Sequence, residues 1–253
     1  GYMVVGHDHL GHGKTAKRPE DWGYFADGES PEILIGDMNK LRTLSQEPDK
    51  PYFMLGHSMG SYLLRRYLSV YGGGLSGAVI MGTGANPDAV AKLGMAVCKA
   101  IAAFKGWKYR SPFMEKLFFS GDFQKFDMDG THPENSWLTK DTEIVRFYYS
   151  EPRCTFKFTL KAYYDFLKTV YYVNRKENVE KIPKDLPILM VAGDCDPVGE
   201  FGKAVKRVYE MYKAAGINDV TLKLYENDRH EILNETDKER VFDDIFNWCE
   251  SRQ

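Results

Sequence analysis

Five short apolar runs punctuate the chain: Tyr2 to Gly6, Tyr52 to Leu55, Ala78 to Met81, Ile188 to Ala192 and Val220 to Tyr225. Runs this short and rich in Val, Ile and Leu suit strands buried on both faces. Segments with helical spacing lie between and after them, over Pro31 to Leu44, Met59 to Tyr71, Gly199 to Ala215 and Asn234 to Ser251. Repeated strand and helix predict an α/β fold, a mostly parallel sheet flanked by helices. In such a sheet the ligand site lies beyond the carboxyl ends of the strands. With 253 residues, 43% hydrophobic and 28% charged, the chain can bury one sizeable core, which excludes a disordered or fibrous protein.

One strand end carries chemistry. Gly56-His57-Ser58-Met59-Gly60 follows the run ending at Leu55 and precedes a helical face of Leu63, Leu64, Tyr67, Leu68 and Tyr71. A GxSxG between strand and helix is a nucleophile elbow: the sharp turn strains the serine backbone, and Gly56 and Gly60 are expected to remove colliding side chains. Ser58 is then presented at the sheet's upper edge, and the Met59 amide, at a helix N-terminus, is placed to stabilise an oxyanion. A serine hydroxyl needs a base to take its proton and a carboxylate to orient that base. The run ending at Ala192 leads into Gly193-Asp194-Cys195-Asp196-Pro197-Val198, where either aspartate suits the acid. The last run leads into Glu226-Asn227-Asp228-Arg229-His230, and His230 follows every strand, as the base in this order of residues does.

These segments together resemble the monoacylglycerol lipase and lysophospholipase-like branch of the α/β-hydrolases, a branch grouped with serine aminopeptidases. Asp8-His9-Leu10-Gly11-His12-Gly13-Lys14-Thr15 is similar to its DxxGHGxS segment, with Thr for Ser. Gly56 to Gly60 is similar to its GHSMG elbow, Gly193 to Val198 to its GxxDPV loop, and Arg229 to Glu235 to its histidine segment. The resemblance implies the α/β-hydrolase fold, a Ser58, His230 and Asp196 triad rather than one using Asp194, and no cofactor. Upstream of the segment that begins here at Gly1 the family has a strand ending in His-Gly, whose neighbouring backbone donates the second oxyanion hydrogen bond. The expectation is that these N-terminal strands lie outside the 253 residues.

The interval from Ala85 to Tyr172 breaks the alternation and holds 19 of the 35 aromatic residues, which points to an inserted helical cap within a core of residues 1–84 and 173–253. Those aromatics suit a small core of their own, an acyl-binding wall, or both. Ala89 to Phe104 is expected to lie over Ser58, and Lys92 and Lys99 to belong to packing and a solvated helix face. The expected reaction is hydrolysis of carboxylic esters such as monoacylglycerols or lysophospholipids, with transient membrane or micelle contact through the cap. An aminopeptidase or amidase of the same fold is the rival, with Glu115, Asp122, Asp141 or Glu143 available to meet an ammonium. A rival of another class is a ligand-binding protein that keeps the fold without turnover.

His7, His9 and His12 have the HxHxxH spacing of some zinc sites, but Gly11 stands where those sites use Asp and no later cluster completes the shell, so the expectation is no metal. Asp8, His9 and His12 are instead expected to hydrogen-bond the loop beside the elbow. A net charge of -2 without basic clustering excludes nucleic-acid binding. Cys98, Cys154, Cys195 and Cys249 form no CxxC pair and read as reduced thiols of a cytoplasmic protein. No apolar run approaches the length of a membrane span.

Overall fold

In the computed structural model, which describes residues 1–252, four of the five apolar runs pair into one parallel sheet. Its spatial order is β1 (Phe53–His57), β2 (Gly77–Met81), β3 (Ile188–Gly193), β4 (Val220–Tyr225). Gly56 pairs with Ile80, Ile80 with Met190 and Met190 with Leu222. Among the described residues, α1 (Ser30–Ser45) and α2 (Met59–Tyr71) flank β1. Between β2 and β3 come α3 (Asp88–Lys105), α4 (Pro112–Phe118), α5 (Thr142–Ser150), α6 (Pro152–Thr155), α7 (Leu160–Val173) and α8 (Lys176–Val179). Then α9 (Lys203–Ala214) follows β3 and α10 (Glu239–Glu250) follows β4.

The two inner strands are buried along their whole length because the alternate side chains feed two cores. Ala78, Ile80, Ile188, Met190 and Ala192 pack with Leu34, Leu64, Leu68, Val205 and Val208 on one face. Val79, Met81, Leu189 and Val191 pack with Tyr225, Val241 and Trp248 on the other. Each such aliphatic side chain contributes about 1.5–3 kcal/mol by leaving water, so the sheet is the stable platform. Helices α3, α4 and α7 share a third core of Cys98, Ala102, Met114, Leu160, Tyr163 and Leu167.

Arg65, buried on α2, joins the two ends of the insertion. One guanidinium nitrogen, Nη1, donates to Thr83 Oγ1 at 3.1 Å and the Gly84 carbonyl at 2.8 Å; the other, Nη2, donates to the Val173 carbonyl at 3.2 Å and Asn174 Oδ1 at 2.8 Å.

Three expectations need correction. Tyr2 to Gly6 lies in no strand of the sheet and is exposed; the Tyr2 ring stands edge-on to Phe53 and Phe246, and its hydroxyl donates to Glu250 Oε1 at 2.7 Å. An apolar run becomes a strand only where a partner accepts its backbone hydrogen bonds. Helix α9 starts at Lys203 rather than Gly199 because Glu200, Phe201 and Gly202 all take left-handed φ, at 49°, 55° and 82°. Helix α10 starts five residues later than the spacing suggests, because residues 232–234 form a separate 3-10 turn and Glu235 is buried against other partners.

Candidate active site

Ser58, Asp196 and His230 follow the carboxyl ends of β1, β3 and β4; His230 is hydrogen-bonded to Asp196, and among the described residues no hydrogen bond joins His230 Nε2 to Ser58. Ser58 stands between β1 and α2 with φ 52° and ψ -123°, a conformation reserved for strained positions in non-glycine residues. Its amide donates to the Met81 carbonyl at 3.1 Å, and Ser61 N–H and Ser61 Oγ donate to its carbonyl at 2.8 and 2.6 Å. The turn is thus over-determined by its neighbours. Gly56 is required, since a Cβ there would collide with the Gly60 backbone; Gly60 itself has open space where a Cβ would sit. The expectation that both glycines avoid collisions therefore holds for one. Met59 begins α2, where an amide has no intrahelical acceptor and points outward with partial positive charge.

His230 is buried, and its Nδ1 lies 2.9 Å from Asp196 Oδ2. Asp196 is fully buried, and its other oxygen accepts the Val198 amide at 2.8 Å. Asp194 turns elsewhere and accepts the Asn227 amide at 2.8 Å. The acid loop and the histidine loop approach this closely because Gly193 has no side chain: a Cβ there would strike the Asp228 and Arg229 carbonyls. His230 Nε2 is buried with no hydrogen-bond partner among the described residues, so the nitrogen opposite Asp196 is left available.

His57 holds the histidine from the elbow side. Its Nε2–H donates to the His230 carbonyl at 3.0 Å, and the two rings lie 4.6 Å apart. Desolvation, then the neighbouring His230, push the His57 pKa down to about 4, which keeps the ring neutral.

Three contributors carried no signal strong enough to single out from sequence. Gly82, at the end of β2 with φ 58°, sits where a Cβ would be 3.1–3.2 Å from the His230 and His57 rings. Trp137, from the insertion, stacks on His230 with centroids 5.0 Å apart. Lys140 places its ammonium 2.7 Å from Asp228 and 3.7 Å from Glu235, both fully buried below the histidine loop. A glycine directly after an apolar run was the one local clue, for Gly82; the other two depend on long-range packing.

Among the described residues, the acidic groups that converge to metal-binding separation are Asp228, Glu235 and Asp237, not His7, His9 and His12. Lys140 and Arg240 already pair with that cluster. Residues 8–15 instead organise themselves. Asp8 accepts the Lys14 amide at 2.8 Å, His12 Nδ1 bonds the Leu10 carbonyl at 3.1 Å, and Thr15 Oγ1 donates to the His9 carbonyl at 2.6 Å. Burial, then His7, lower the His9 pKa to about 4. Of the carboxylates considered for a peptidase, Glu115 pairs with Lys157, Asp122 with Lys125, Asp141 caps α5, and Glu143 is exposed.

Residues 1–237 match the serine aminopeptidase (S33) family. The chain belongs to that family. Relatives include the monoacylglycerol lipase of Mycolicibacterium smegmatis, 26% identical over 258 residues, covering 99% of this chain and 79% of the relative. The monoglyceride lipase of Mus musculus is also 26% identical, over 99% of this chain and 74% of its own. Among solved structures, a thermostable carboxyl esterase from Bacillus coagulans superposes with a TM-score of 0.85 at 31% identity, over 97% of this chain and 79% of the esterase. A soluble variant of the Saccharomyces cerevisiae monoglyceride lipase superposes with a TM-score of 0.74 at 22% identity, over 97% and 76%. This S33 protein has the α/β-hydrolase fold.

Proposed function

We propose that the protein is a carboxylic ester hydrolase acting on lipid esters, monoacylglycerols or lysophospholipids, through an acyl-enzyme on Ser58. The observation that carries this reading is the buried His230 to Asp196 contact of 2.9 Å beside a strained serine turn. With Nδ1–H donated to Asp196, His230 keeps a lone pair on Nε2 and accepts the Ser58 proton as Oγ attacks the ester carbonyl. The imidazolium returns that proton to the departing alkoxide, and the same nitrogen then activates water against the acyl-enzyme. The Met59 amide stabilises the oxyanion in both steps. No cofactor enters this scheme. The ester reading is supported by relatives named as monoacylglycerol lipases and a neighbour named as a carboxyl esterase. It is supported against the aminopeptidase by the engagement or exposure of the insertion's four candidate carboxylates.

Residues 85–172 serve as the cap over a core of residues 1–84 and 173–253, a division supported by Arg65 joining its two ends. Helix α3 has a packed face and an open face. Ala91, Gly94, Cys98 and Ala102 of α3 face inward, while Leu93, Phe104 and Phe113 are 66%, 89% and 60% exposed on α3 and α4. Lys92, Lys99, Lys105 and Lys116 lie on the same helices. This surface meets micelles or membranes that hold the substrate. Among the described residues no helix is long and apolar enough to cross a membrane. A cytoplasmic location is supported by four free cysteines.

The test compares specificity constants for acetyl, butyryl and octanoyl esters and monoacylglycerols with those for aminoacyl and prolyl anilides. Each added methylene buried in the acyl site is worth about 0.8 kcal/mol, or roughly 4-fold. A rise with chain length is expected; faster anilide cleavage would replace the lipase with a peptidase. Failure of a fluorophosphonate to label Ser58 would favour the binding protein.

A further inference from the structure

The histidine loop is not held by the core alone. A short segment of the insertion runs against it, backbone to backbone: His230 N–H donates to the Trp137 carbonyl at 3.3 Å and Glu231 N–H to the Leu138 carbonyl at 2.7 Å. Thr139 Oγ1 donates to the Asn234 carbonyl at 3.0 Å, and the Lys140 amide to Glu235 Oε2 at 3.1 Å. Arg229 returns the contact, donating to the carbonyls of Ser136, of Thr139 at 3.2 Å and of Glu134 at 3.0 Å. Lys140 lies against the buried Asp228 and Glu235. These groups make residues 134–140 a fixed neighbour of His230.

Within that segment Trp137 is buried, with its ring nearly parallel to the imidazole, 30° between planes and 5.0 Å between centroids. Phe123 packs edge-on against it at 5.3 Å. The His57 ring lies 4.6 Å from the imidazole, tilted by 40°. The imidazole therefore has the indole stacked on it, a second ring within 4.6 Å, and Asp196 bonded to its Nδ1.

Resting on the triad reading above, we propose that Trp137 is a positioning residue for the base: its indole face fixes the His230 ring and steadies the imidazolium formed during acylation and deacylation. An indole face is the best aromatic partner for a cation, and a desolvated contact is worth about 30-fold in a rate that passes through that cation. The contribution appears only when His230 carries its second proton, so it enters turnover rather than substrate binding.

Trp137→Phe and Trp137→Leu separate the aromatic face from the filled volume, and p-nitrophenyl acetate is small enough to ask little of the acyl site. Trp137→Phe is expected to keep kcat within about 3-fold, and Trp137→Leu to lose about 10- to 30-fold with KM within about 2-fold. Melting curves on both verify folding; Trp137→Tyr replaces the Phe variant and Trp137→Met the Leu variant if either fails to fold. Equal kcat in the Phe (or Tyr) and Leu (or Met) variants, or a loss confined to KM, overturns the proposal. His230→Gln, run alongside, keeps the two readings apart: if it stays active the triad is wrong, whereas if it is dead and the Phe and Leu variants match wild type, only the role of Trp137 falls.

Discussion

Gly82→Ala tests how tightly the two imidazoles are packed at the end of β2. The substitution carries two costs that the geometry separates. At φ 58° an alanine is strained by about 1–2 kcal/mol, which for a chain of this size lowers Tm by roughly 2–8 °C. The new methyl would also stand 3.1 Å from His230 Cε1, 3.2 Å from its Nδ1 and 3.2 Å from His57 Cδ2. Comfortable carbon contacts begin near ~3.5 Å, so the rings must give by about 0.3–0.5 Å. Trp137 limits movement on one side, and the displacement falls on the 2.9 Å bond between His230 and Asp196. A misplacement of about 1 Å costs on the order of 100-fold, so about 10-fold in kcat is expected here, with KM within about 2-fold. The assay is steady-state hydrolysis of p-nitrophenyl butyrate alongside thermal melting. Gly216→Ala is the control: its φ is 81° and nothing lies near the added methyl, so it carries the backbone strain without the rings. If Gly82→Ala lost the same stability as Gly216→Ala but kept wild-type kcat, the reasoning about ring packing would be refuted.

Asp196→Asn is expected to lower kcat by about 10⁴-fold by favouring the wrong imidazole tautomer, while Asp194→Asn stays within a few-fold; kinetics on the two purified variants decide. Lys140→Met removes the ammonium beside buried Asp228 and Glu235 and should cost about 3 kcal/mol in urea unfolding, with Arg240 still paired to Asp228. Burial opposes the Lys140 charge, yet the Asp228 hydrogen bond and the nearby carboxylates raise its pKa overall. That stability is present below the unfolded lysine pKa and lost as pH rises through the folded one, so the variant and wild type should converge in alkali. His57 and His9, both lowered from 6.5 to about 4, act in the opposite sense. The unfolded chain binds their protons first, so stability should fall between pH 6.5 and 4 by up to about 1.4 kcal/mol per pH unit for each; an unchanged slope in His57→Gln would contradict this.

What was readable from the chain was what neighbours in sequence decide. The alternation of short apolar runs with amphipathic segments gave the parallel sheet, since Ile188 to Ala192 and Ala78 to Met81 are buried on both faces whatever surrounds them. The elbow was equally local, because a strand meeting a helix at Gly56-His57-Ser58 leaves few conformations. Tyr2 to Gly6 has the composition of a strand, but pairing is a property of a neighbour. The same holds for Glu200 and Phe201, whose left-handed backbone no propensity would suggest. Trp137 looked like one aromatic among many in the insertion; its place over His230 comes from hydrogen bonds between segments more than 90 residues apart. Lys140 likewise acquires meaning only when Asp228 and Glu235 arrive beneath it.

The buried Arg65 ties together the two junctions of the segment between β2 and β3. Its guanidinium fork grips residues 83–84 with one nitrogen and residues 173–174 with the other, so the point of departure and the point of return are held together by the core itself. Whatever length of chain joins them, the sheet sees a closed loop, and the entropy of closing it grows only slowly with length. On the proposal that residues 85–172 form the cap, exchanging the segment between these junctions is expected to alter substrate preference while the sheet stays intact, provided a graft brings its own partner for the histidine loop.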